Sequence, residues 1–414
     1  MRLIVPGKKY GEEKVNEYAK IYYIPAKQSP IFDKRYRVMT PMDYMPDGAP
    51  IRKILIDEMP DMVEITDKYT LSMFGAMVRR GKFKQIGRPM LVHFSCERMD
   101  DNIASFLFGG APSKSFARAV MGDYNFPSFD FHIANSPYTA EEFTSSIAKF
   151  TNPRRLNAWL NFCWRFFRSP RVPVSERIFV CPRGVDSDLF SPERRAKAVR
   201  SELAKRAEIP ENAVLLLYAG RISPEKNVGL LPDFMEILAR NSKTDYRLLI
   251  AGAGPRAEWL RAETEKRIPG KIIQLGHIEK STLADYYANI DVFVHPNPKE
   301  PFGIAPLEAM ASGVPVVAPN SGGLLFYATQ KNSWLVEPTA ENFAQSVIEI
   351  IENPTLREEK VKDALGTVQK HTRVKSTDFL FETYDKMYQD FKSRNDLYTN
   401  QEAAKTFDFA KLVK

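Results

Sequence analysis

The sequence has few cysteines and histidines and no long uncharged apolar run. Its 414 residues include five histidines and three cysteines, Cys96, Cys163 and Cys181. An odd number of cysteines without a C-x-x-C pair argues against a disulfide framework and a cysteine zinc site, and favours a reducing compartment. No apolar stretch reaches the roughly 18 residues of a membrane-spanning helix, and the apolar start is too brief for a signal peptide. We therefore expect a cytoplasmic protein.

Acidic residues are in the minority. The chain has 59 lysines and arginines against 51 aspartates and glutamates, which gives a formal net charge of +8 and a pI near 9.1. Such a chain suits acidic partners, namely nucleotide phosphates, anionic lipid headgroups or nucleic acid. No nucleic-acid-binding module is recognisable, so we do not expect a nucleic-acid partner. The length fits two domains, each with a core of its own.

The second half of the chain alternates short apolar runs with amphipathic stretches. This alternation is typical of βαβ units and predicts a doubly wound parallel sheet. Helices are predicted at Leu230 to Arg240, Ser281 to Ala288 and Glu341 to Glu352. The predicted strands are Ala213 to Tyr218, Arg247 to Ala251, Lys271 to Leu275, Val292 to Val294 and Val314 to Ala318.

The first half shows the same pattern less regularly. We predict a second Rossmann-like domain there, and ligand binding beyond the carboxyl ends of the strands. The boundaries follow a turn-rich linker: an N-terminal acceptor-side domain over 1–185, a donor domain over 186–375, and a helical segment over 376–414 that packs back towards the N-terminal domain. The predicted strands are Leu3 to Val5, Met62 to Ile65, Met90 to Phe94, Phe131 to Ala134 and Arg177 to Val180.

The loop after the first strand of the second half carries two cations, Arg221 and Lys226. A planar guanidinium and a compact ammonium at the end of a strand can neutralise a leaving diphosphate without a metal. For an isolated R-x4-K, however, a solvated turn is the commoner interpretation.

The loop after the fourth strand of the second half carries Glu300, Gly303 and Glu308. Gly303 allows close backbone approach at a helix start, where free N–H groups favour phosphate. Glu308, about one turn into that helix, can accept hydrogen bonds from a ribose, and Glu300 can reach sugar hydroxyls. Taken singly, either glutamate is better explained as a surface or helix-start charge.

Residues 213 to 352 contain six short motifs, given at the end of this paragraph, in the order in which they occur in a known family. With them this region resembles the donor domain of retaining GT-B glycosyltransferases of family 4. The resemblance implies that Arg221 and Lys226 bind the donor phosphates and that Glu300 contacts the transferred sugar. It also implies that Glu308 binds the ribose, that Gly303, Ile304 and Ala305 hold phosphate by their backbone, and that Leu275, Gly276 and His277 cradle the base. The motifs are Gly220-Arg221-x4-Lys226, Gly252-Ala253-Gly254-Pro255, Leu275-Gly276-His277, Glu300-x7-Glu308, the run Glu308 to Val317, and Ser321-Gly322-Gly323.

The N-terminal half offers candidates on the acceptor side. His93 occupies roughly the place of a family histidine near the anomeric end of the sugar, which makes it a candidate catalytic residue. A histidine packed within a strand explains it equally well. Glu97, Arg98 and Asp100 follow and can read acceptor hydroxyls, although a salt-bridged surface loop is at least as good an interpretation.

Two features depart from the family pattern. The family normally opens with a strand and a Gly-rich loop, whereas this chain begins near the second strand, so we expect an N-terminal domain that lacks its first strand. The segment 152–176 also mixes arginines with aromatic residues, as a helix at an anionic membrane surface does. An ordinary packed helix with its arginines outward is the favoured alternative for that segment.

The sequence therefore predicts a metal-independent hexosyltransferase that moves a sugar, with retention, from a GDP- or UDP-linked donor to a glycan or lipid-linked acceptor. No cofactor is expected, because Gly252-Ala253-Gly254-Pro255 lacks the third glycine of a dinucleotide fingerprint. No metal is expected, because His277 and His295 have no ligand spacing. A non-catalytic or truncated sugar-nucleotide-binding protein and a GT-B epimerase or phosphorylase stay open as alternatives.

Overall fold

The protein forms two units in a computed structural model that describes residues 1–29, 37–106, 111–148, 154–241 and 243–413. Unit 1 comprises 1–135, 139–180 and 382–414, and unit 2 comprises 136–138 and 181–381. The first unit boundary thus falls at 180/181, where the sequence predicted 185/186. Residues 382–414, which lie within the predicted C-terminal segment, belong to unit 1.

Unit 1 opens with a small mixed sheet. β1 (Arg2–Gly7) pairs in parallel with β3 (Lys20–Pro25), and β2 (Gly11–Lys14) runs antiparallel to β3. A second, two-stranded ladder joins β4 (Lys27–Gln28) to β5 (Arg37–Val38). Of these five strands, only β1 was predicted from the sequence. The strand β2 carries charges at three of its four positions, and β4 and β5 have two residues each.

The larger sheet of unit 1 is parallel, in the order β6-β7-β8-β9. Its strands are β6 (Met62–Ile65), β7 (Met90–Ser95), β8 (Phe131–Ala134) and β9 (Ile178–Val180). All four were predicted within a residue or two. Helix α1 (Pro50–Glu58) precedes the first of these strands. The helices between the strands are α2 (Ser72–Arg79), α3 (Met99–Phe106), α4 (Ala111–Ala119), α5 (Pro137–Ala148) and α6 (Arg154–Phe166).

Unit 2 contains one parallel sheet of six strands in the order β12-β11-β10-β13-β14-β15. Five strands match the predictions. The edge strand β15 was missed, because its three residues are too few for a periodic signal. The strands are β10 (Val214–Ala219), β11 (Tyr246–Ala251), β12 (Ile272–Gly276), β13 (Val292–Val294), β14 (Val316–Pro319) and β15 (Trp334–Val336).

Helices cover both faces of this sheet. Alternate residues of β10 enter opposite cores, Leu215 and Leu217 on one side and Leu216 and Tyr218 on the other. A strand buried on both faces explains why its sequence is a continuous apolar run. The helices are α7 (Lys197–Arg206), α8 (Leu230–Asn241), α9 (Ala257–Arg267), α10 (Lys280–Ala288), α11 (Ile304–Ala311), α12 (Ala340–Glu352) and α13 (Pro354–Val368).

The C-terminal helices return the chain to unit 1. They are α14 (Arg373–Ser393), in which the unit boundary falls, α15 (Asn395–Thr399) and α16 (Gln401–Thr406). Tyr388 OH donates to Asp61 Oδ1 at 3.0 Å, and the buried Tyr398 packs its ring 5.1 Å from that of Phe131. These contacts join the last helices to the parallel sheet of unit 1.

Candidate functional site

The candidate site lies where the strand order of unit 2 reverses. From β10 the chain proceeds to β11 and β12 on one side, and then returns to β13, which pairs with the other edge of β10. Ligands of open parallel sheets bind at such a switch point, beyond the carboxyl ends of the two strands. The loops that follow β10 and β13, 220–227 and 295–303, carry the predicted cations and the predicted glutamate.

Glu300 is the centre of this arrangement. Lys226 Nζ lies 2.8 Å from Glu300 Oε2, and Asn297 Nδ2 donates to the same oxygen at 3.0 Å. Nε2 of His295 lies 3.4 Å from that oxygen as well. The sequence predicted Lys226 and Glu300 separately, as phosphate and sugar ligands. The structure brings them together as an ion pair.

The charge of Glu300 is set by its neighbours. Burial alone would raise the pKa of its carboxyl, but the Lys226 ammonium and then the His295 ring outweigh burial and hold the pKa well below its usual range. Glu300 is therefore ionised at neutral pH. An ionised carboxylate accepts hydrogen bonds only, as contact with sugar hydroxyls requires.

Arg221 is held within its own loop. Its Nη1 lies 3.3 Å from Glu225 Oε1, which also accepts a 2.5 Å hydrogen bond from Ser223 Oγ. Tyr218 OH donates to the Arg221 carbonyl at 2.7 Å, which fixes the backbone beneath the side chain. The sequence analysis did not identify Glu225 as the partner of Arg221, although Glu225 lies in the same motif, directly before Lys226.

Asn227 ties the two loops together. It follows the single 3-10 turn Pro224–Lys226 with a φ of 53°, a left-handed conformation that asparagine tolerates. Its Nδ2 donates to Pro296 O, in the loop after β13, at 3.0 Å. Asn227 thereby fixes the separation of the loops that carry Lys226 and Glu300. Its role was not predicted, because the bond depends on tertiary contact.

Gly303 starts helix α11 in a conformation that favours glycine. Its φ is 88°, and a Cβ there would lie 2.8 Å from Tyr327 OH, which donates to the Gly303 carbonyl. Ile304 and Ala305 follow in the first helical turn, where N–H groups have no acceptor within the helix. This backbone can meet an anion, as predicted for phosphate.

Glu308 lies on α11 in a different environment from Glu300. Burial raises the pKa of its carboxyl to about 7, and the opposing influence of Lys280 and Tyr287 on α10 is smaller. Glu308 therefore changes charge near neutral pH, which Glu300 does not. Its predicted role at the ribose remains a prediction.

The Gly-Ala-Gly-Pro run packs the strand ends of the sheet against one another. A Cβ on Gly252 would overlap the carbonyl oxygen of Gly220, and one on Gly254 would overlap that of Ile222. Gly252 N also donates to Gly276 O at 2.7 Å. Both glycines thus have a packing reason that needs no dinucleotide.

The base-cradle prediction falls on an open loop. Gly276 has a φ of 73°, and the side chain of His277 is 85% exposed, 4.0 Å from Glu279. With most of its surface exposed among the described residues of unit 2, this ring is accessible to a ligand. Its role at the base stays a prediction.

In unit 1, the structure gives His93 the environment of a packed strand histidine. The ring has no exposed surface, stacks on Phe129 at 5.2 Å and meets Phe143 edge-on at 5.6 Å. Burial, and then the charge of Lys68, lower the pKa of His93 well below its usual value. No ring atom of His93 is exposed in this structure, and its predicted role at the sugar stays a prediction.

The neighbouring acceptor candidates form ion pairs. Arg98 Nη2 lies 2.9 Å from Asp100 Oδ2, and Nη1 lies 3.1 Å from Glu141 Oε2. This geometry fits the salt-bridged alternative for Arg98 and Asp100. Burial raises the pKa of Glu97, which sets this carboxyl apart from the other two candidates.

The described ranges contain no cluster of three His, Cys, Asp or Glu side chains with the geometry of a metal site. Within the same ranges, every helix is too short or too polar to cross a bilayer. The sequence-based expectation that the protein binds neither a metal nor a cofactor remains a prediction.

Comparisons with known proteins agree with the geometry. The sequence profile of the family "Glycosyl transferases group 1" matches residues 199–365. A GDP-mannose-dependent alpha-(1-6)-phosphatidylinositol dimannoside mannosyltransferase of Mycobacterium tuberculosis is 29% identical over 85% of this chain and 79% of its own length. A GDP-mannose-dependent alpha-mannosyltransferase of Corynebacterium glutamicum is 25% identical over 78% of this chain and 64% of its own.

Solved structures share the fold. Anabaena HepE in complex with UDP and glucose superposes with a TM-score of 0.64 at 18% identity, over 89% of this chain and 86% of its own. The matched residues 199–365 lie within unit 2 and include Arg221, Lys226, Glu300 and Glu308. The protein is therefore a glycosyltransferase with the GT-B fold that uses a nucleotide-sugar donor, and its residues 199–365 match the family of glycosyl transferases group 1.

Proposed function

We propose that the protein transfers mannose, with retention of its anomeric configuration and without a metal, from GDP-mannose to a hydroxyl of a lipid-linked or glycan acceptor in the cytoplasm. One observation carries the proposal: the ion pair between Lys226 and Glu300 at the switch point of unit 2. The choice of mannose follows from the GDP-mannose dependence of both curated relatives.

The ion pair suggests how the donor is received. Without a ligand, Lys226 neutralises Glu300, whose side chain is only 13% exposed. An arriving diphosphate offers Lys226 a stronger partner, and the carboxylate is then left to accept hydrogen bonds from the sugar hydroxyls. Asn297 and His295 keep that carboxylate in place throughout. Lys226 and Arg221 stabilise the charge that builds up on the departing diphosphate.

In this proposal, the acceptor attacks the anomeric carbon from the face that the diphosphate leaves, which retains the configuration. Attack on the same face as the departing diphosphate needs no carboxylate nucleophile, and a phosphate oxygen takes the proton of the acceptor hydroxyl. Proton NMR of the product tests this, because an α-linked product retains the configuration of GDP-mannose. A β-linked product would contradict it.

A donor panel tests the proposal. GDP-mannose and common UDP-sugars are assayed for binding and slow hydrolysis with the wild type, Lys226→Ala and Lys271→Ala. Lys271 is the matched control, because its side chain is 28% exposed against 25% for Lys226 and is likewise ion-paired, 2.6 Å from Asp245 Oδ1. This pair lies at the amino ends of β11 and β12, whereas the candidate site lies at the carboxyl ends of the strands. We expect cleavage of GDP-mannose, a loss of about 10²-fold or more in Lys226→Ala, and wild-type activity in Lys271→Ala.

The outcomes separate the alternatives. Cleavage of a UDP-sugar alone would overturn the choice of GDP-mannose. Donor binding without hydrolysis or transfer to any acceptor would favour a non-catalytic sugar-nucleotide-binding protein. Dependence on orthophosphate would favour a phosphorylase.

We also propose that helix α6 contacts an anionic membrane surface, where a lipid-linked acceptor resides. Trp159, Phe162 and Phe166 lie on one face of α6 and are 51%, 61% and 44% exposed, while Leu160 and Trp164 on the other face are fully buried. The Arg80 guanidinium lies 4.1 Å above the Phe166 ring. Exposed rings with adjacent cations suit the headgroup region of a bilayer. The first residues of the predicted segment, 152 and 153, lie outside the described residues.

Liposome co-sedimentation tests the membrane contact. We expect binding to vesicles with anionic lipid, little binding to neutral vesicles, and a loss of binding in Phe162→Asp. The control Val374→Asp adds the same charge at a position that is 67% exposed in unit 2, and should bind like the wild type. Binding that ignores the anionic lipid content would contradict the proposal.

A further inference from the structure

Two buried histidines face each other across neighbouring strands of unit 1. His93 on β7 and His132 on β8 are partners in the register of the parallel pair, and neither has exposed surface. Their Nδ1 atoms are 3.3 Å apart. On the far side of its ring, Nε2 of His132 lies 3.1 Å from the carbonyl oxygen of Phe126.

Both rings are neutral. Burial is the main cause that lowers the pKa of each well below its usual value. For His93 the charge of Lys68 acts in the same direction, and for His132 the charges of Arg177 and Lys68 do so. A neutral imidazole carries one N–H donor and one acceptor nitrogen, so the protons of this pair can be assigned.

The carbonyl of Phe126 determines the assignment. A carbonyl oxygen only accepts, so Nε2 of His132 carries a proton and donates it there. Nδ1 of His132 is then the acceptor, and Nδ1 of His93 must be the donor of the 3.3 Å contact. The remaining nitrogen, Nε2 of His93, is left with a lone pair. Among the described residues, none donates to this buried atom.

We infer that His132 is a positioning residue that fixes the proton of His93 on Nδ1, so that Nε2 of His93 accepts a hydrogen bond from a hydroxyl group. A buried acceptor without a partner is costly, which explains why a hydroxyl binds there. The hydroxyl belongs to a bound sugar or to a water molecule. A phosphate oxygen is excluded, because it has no proton to donate to this lone pair.

The inference has a consequence for catalysis. In this tautomer His93 has no proton on Nε2, so it cannot act there as an acid or donate to a donor phosphate. The alternative in which a sugar provides the hydroxyl rests on the proposed transferase function. The tautomer itself does not.

Nitrogen NMR of the full-length protein labelled with 15N-histidine tests the tautomer directly, and five histidines give a spectrum simple enough to assign. We expect His93 to show a protonated Nδ1 and an unprotonated Nε2. A proton on Nε2 of His93 in the wild type would overturn the inference. Because this measurement needs no turnover, it stands even if the protein fails to cleave GDP-mannose.

Two variants of His132 separate positioning from packing. Gln at this position has an amide N–H for Phe126 O and a carbonyl for Nδ1 of His93, so His132→Gln should keep the His93 tautomer. His132→Phe fits among the surrounding aromatic rings but has no acceptor, so it should shift the His93 proton towards Nε2. Thermal unfolding checks that both variants fold. An unchanged tautomer in a folded His132→Phe would overturn the role of His132.

Substrate addition distinguishes the two sources of the hydroxyl. If a sugar provides it, GDP-mannose or the acceptor moves the Nε2 resonance of His93, and His132→Phe raises the KM of that substrate by about tenfold while His132→Gln does not. If water provides it, substrates leave the resonance unmoved, and KM is the same in both variants. Either result keeps Nε2 as the acceptor.

Discussion

Each unit contains a lysine–glutamate pair, and the two pairs differ in what surrounds them. In unit 1, Lys68 Nζ lies 2.5 Å from Glu142 Oε2, and neither side chain has exposed surface. In unit 2, the separation of Lys226 and Glu300 is 2.8 Å, and the side chains are 25% and 13% exposed. The same two residue types therefore occupy a closed site in one unit and an accessible one in the other.

The partners of the buried pair are all supplied by the fold. Glu142 also accepts hydrogen bonds from Met99 N at 2.5 Å and Asp100 N at 3.1 Å, at the start of α3, and Lys68 donates to Glu97 O. Both carboxylate oxygens of Glu142 and the ammonium of Lys68 thus have partners from the protein, and neither side chain has surface for a ligand to contact. The comparison teaches that paired charges alone do not mark a binding site. What distinguishes a binding site from a structural ion pair is that a ligand can reach the charged groups and form hydrogen bonds with them.

The largest effect on stability is expected from breaking the buried pair. Lys68→Met leaves the Glu142 carboxylate buried without a cation, which should lower the free energy of unfolding by about 3–5 kcal/mol. Urea denaturation measures it. The double variant Lys68→Met/Glu142→Gln removes the stranded charge and should recover part of the loss. A single variant within 1 kcal/mol of the wild type would show that solvent reaches this site.

The next largest effect is on activity, from the accessible pair. Glu300→Gln keeps the shape but removes the charge, and should lower kcat/KM for the donor by about 10²–10³-fold. Because the low pKa of Glu300 means that its charge also stabilises the folded state, the variant should lower the free energy of unfolding, but by less than Lys68→Met does. Adding Lys226→Met should cost less than the product of the two single effects, because both residues serve one ligand. A stability loss as large as that of Lys68→Met would make Glu300 a structural residue.

The two units also differ in how much of their fold the sequence predicts. The central strands β10, β13 and β14 of unit 2 are buried on both faces and are almost continuously apolar, which makes them easy to recognise. Five of the six strands of this sheet were predicted. In unit 1, β2 was missed because three of its four residues are charged, and β4 and β5 because each has only two residues. The strand β3 was missed although most of its residues are apolar. β15 was missed for its shortness.

The site was predicted in parts. Arg221, Lys226, Glu300 and Gly303 lie in two loops whose sequence carries the motif, and the sheet order brings these loops together. The contacts of Glu300 with His295 and Asn297, and the bond from Asn227 to Pro296, depend on how the loops pack, which no local pattern reports. For His93, the sequence could not tell that the residue opposite it is another histidine.

A smaller effect is expected from pH, through Glu308. Its carboxyl has a pKa of about 7 in the folded protein, so its ionised fraction falls about tenfold from pH 8 to pH 6. If the carboxylate binds the ribose, donor affinity should weaken by up to tenfold over that range, as measured by calorimetry. Glu308→Gln should bind more weakly and with a flat profile between pH 6 and 8. An unchanged profile in that variant would assign the pH dependence to another group.

The same carboxyl predicts a change in stability of the opposite sign. The pKa of Glu308 is raised above that of the unfolded chain, so the folded state holds its proton up to a higher pH. Ligand-free stability should therefore fall as pH rises from about 4.5 to 7, and Glu308→Gln should remove this part of the slope. Urea denaturation at a series of pH values measures it.

The smallest effect is expected from a third lysine–glutamate pair, Lys405 and Glu402 on α16. Lys405 Nζ lies 2.6 Å from Glu402 Oε1, but the side chain of Lys405 is 44% exposed and that of Glu402 is 79% exposed. Because water solvates both charges, Lys405→Met should change the free energy of unfolding by no more than about 0.5 kcal/mol and leave donor cleavage unaltered. Lys68→Met, Lys226→Met and Lys405→Met make the same substitution in pairs of the same two residue types. Their effects on the free energy of unfolding therefore show how the contribution of such a pair depends on its exposure. If Lys405→Met proved as costly as Lys68→Met, exposure would not be what distinguishes the pairs, and the accessible position of Lys226 would lose its significance as a sign of ligand binding.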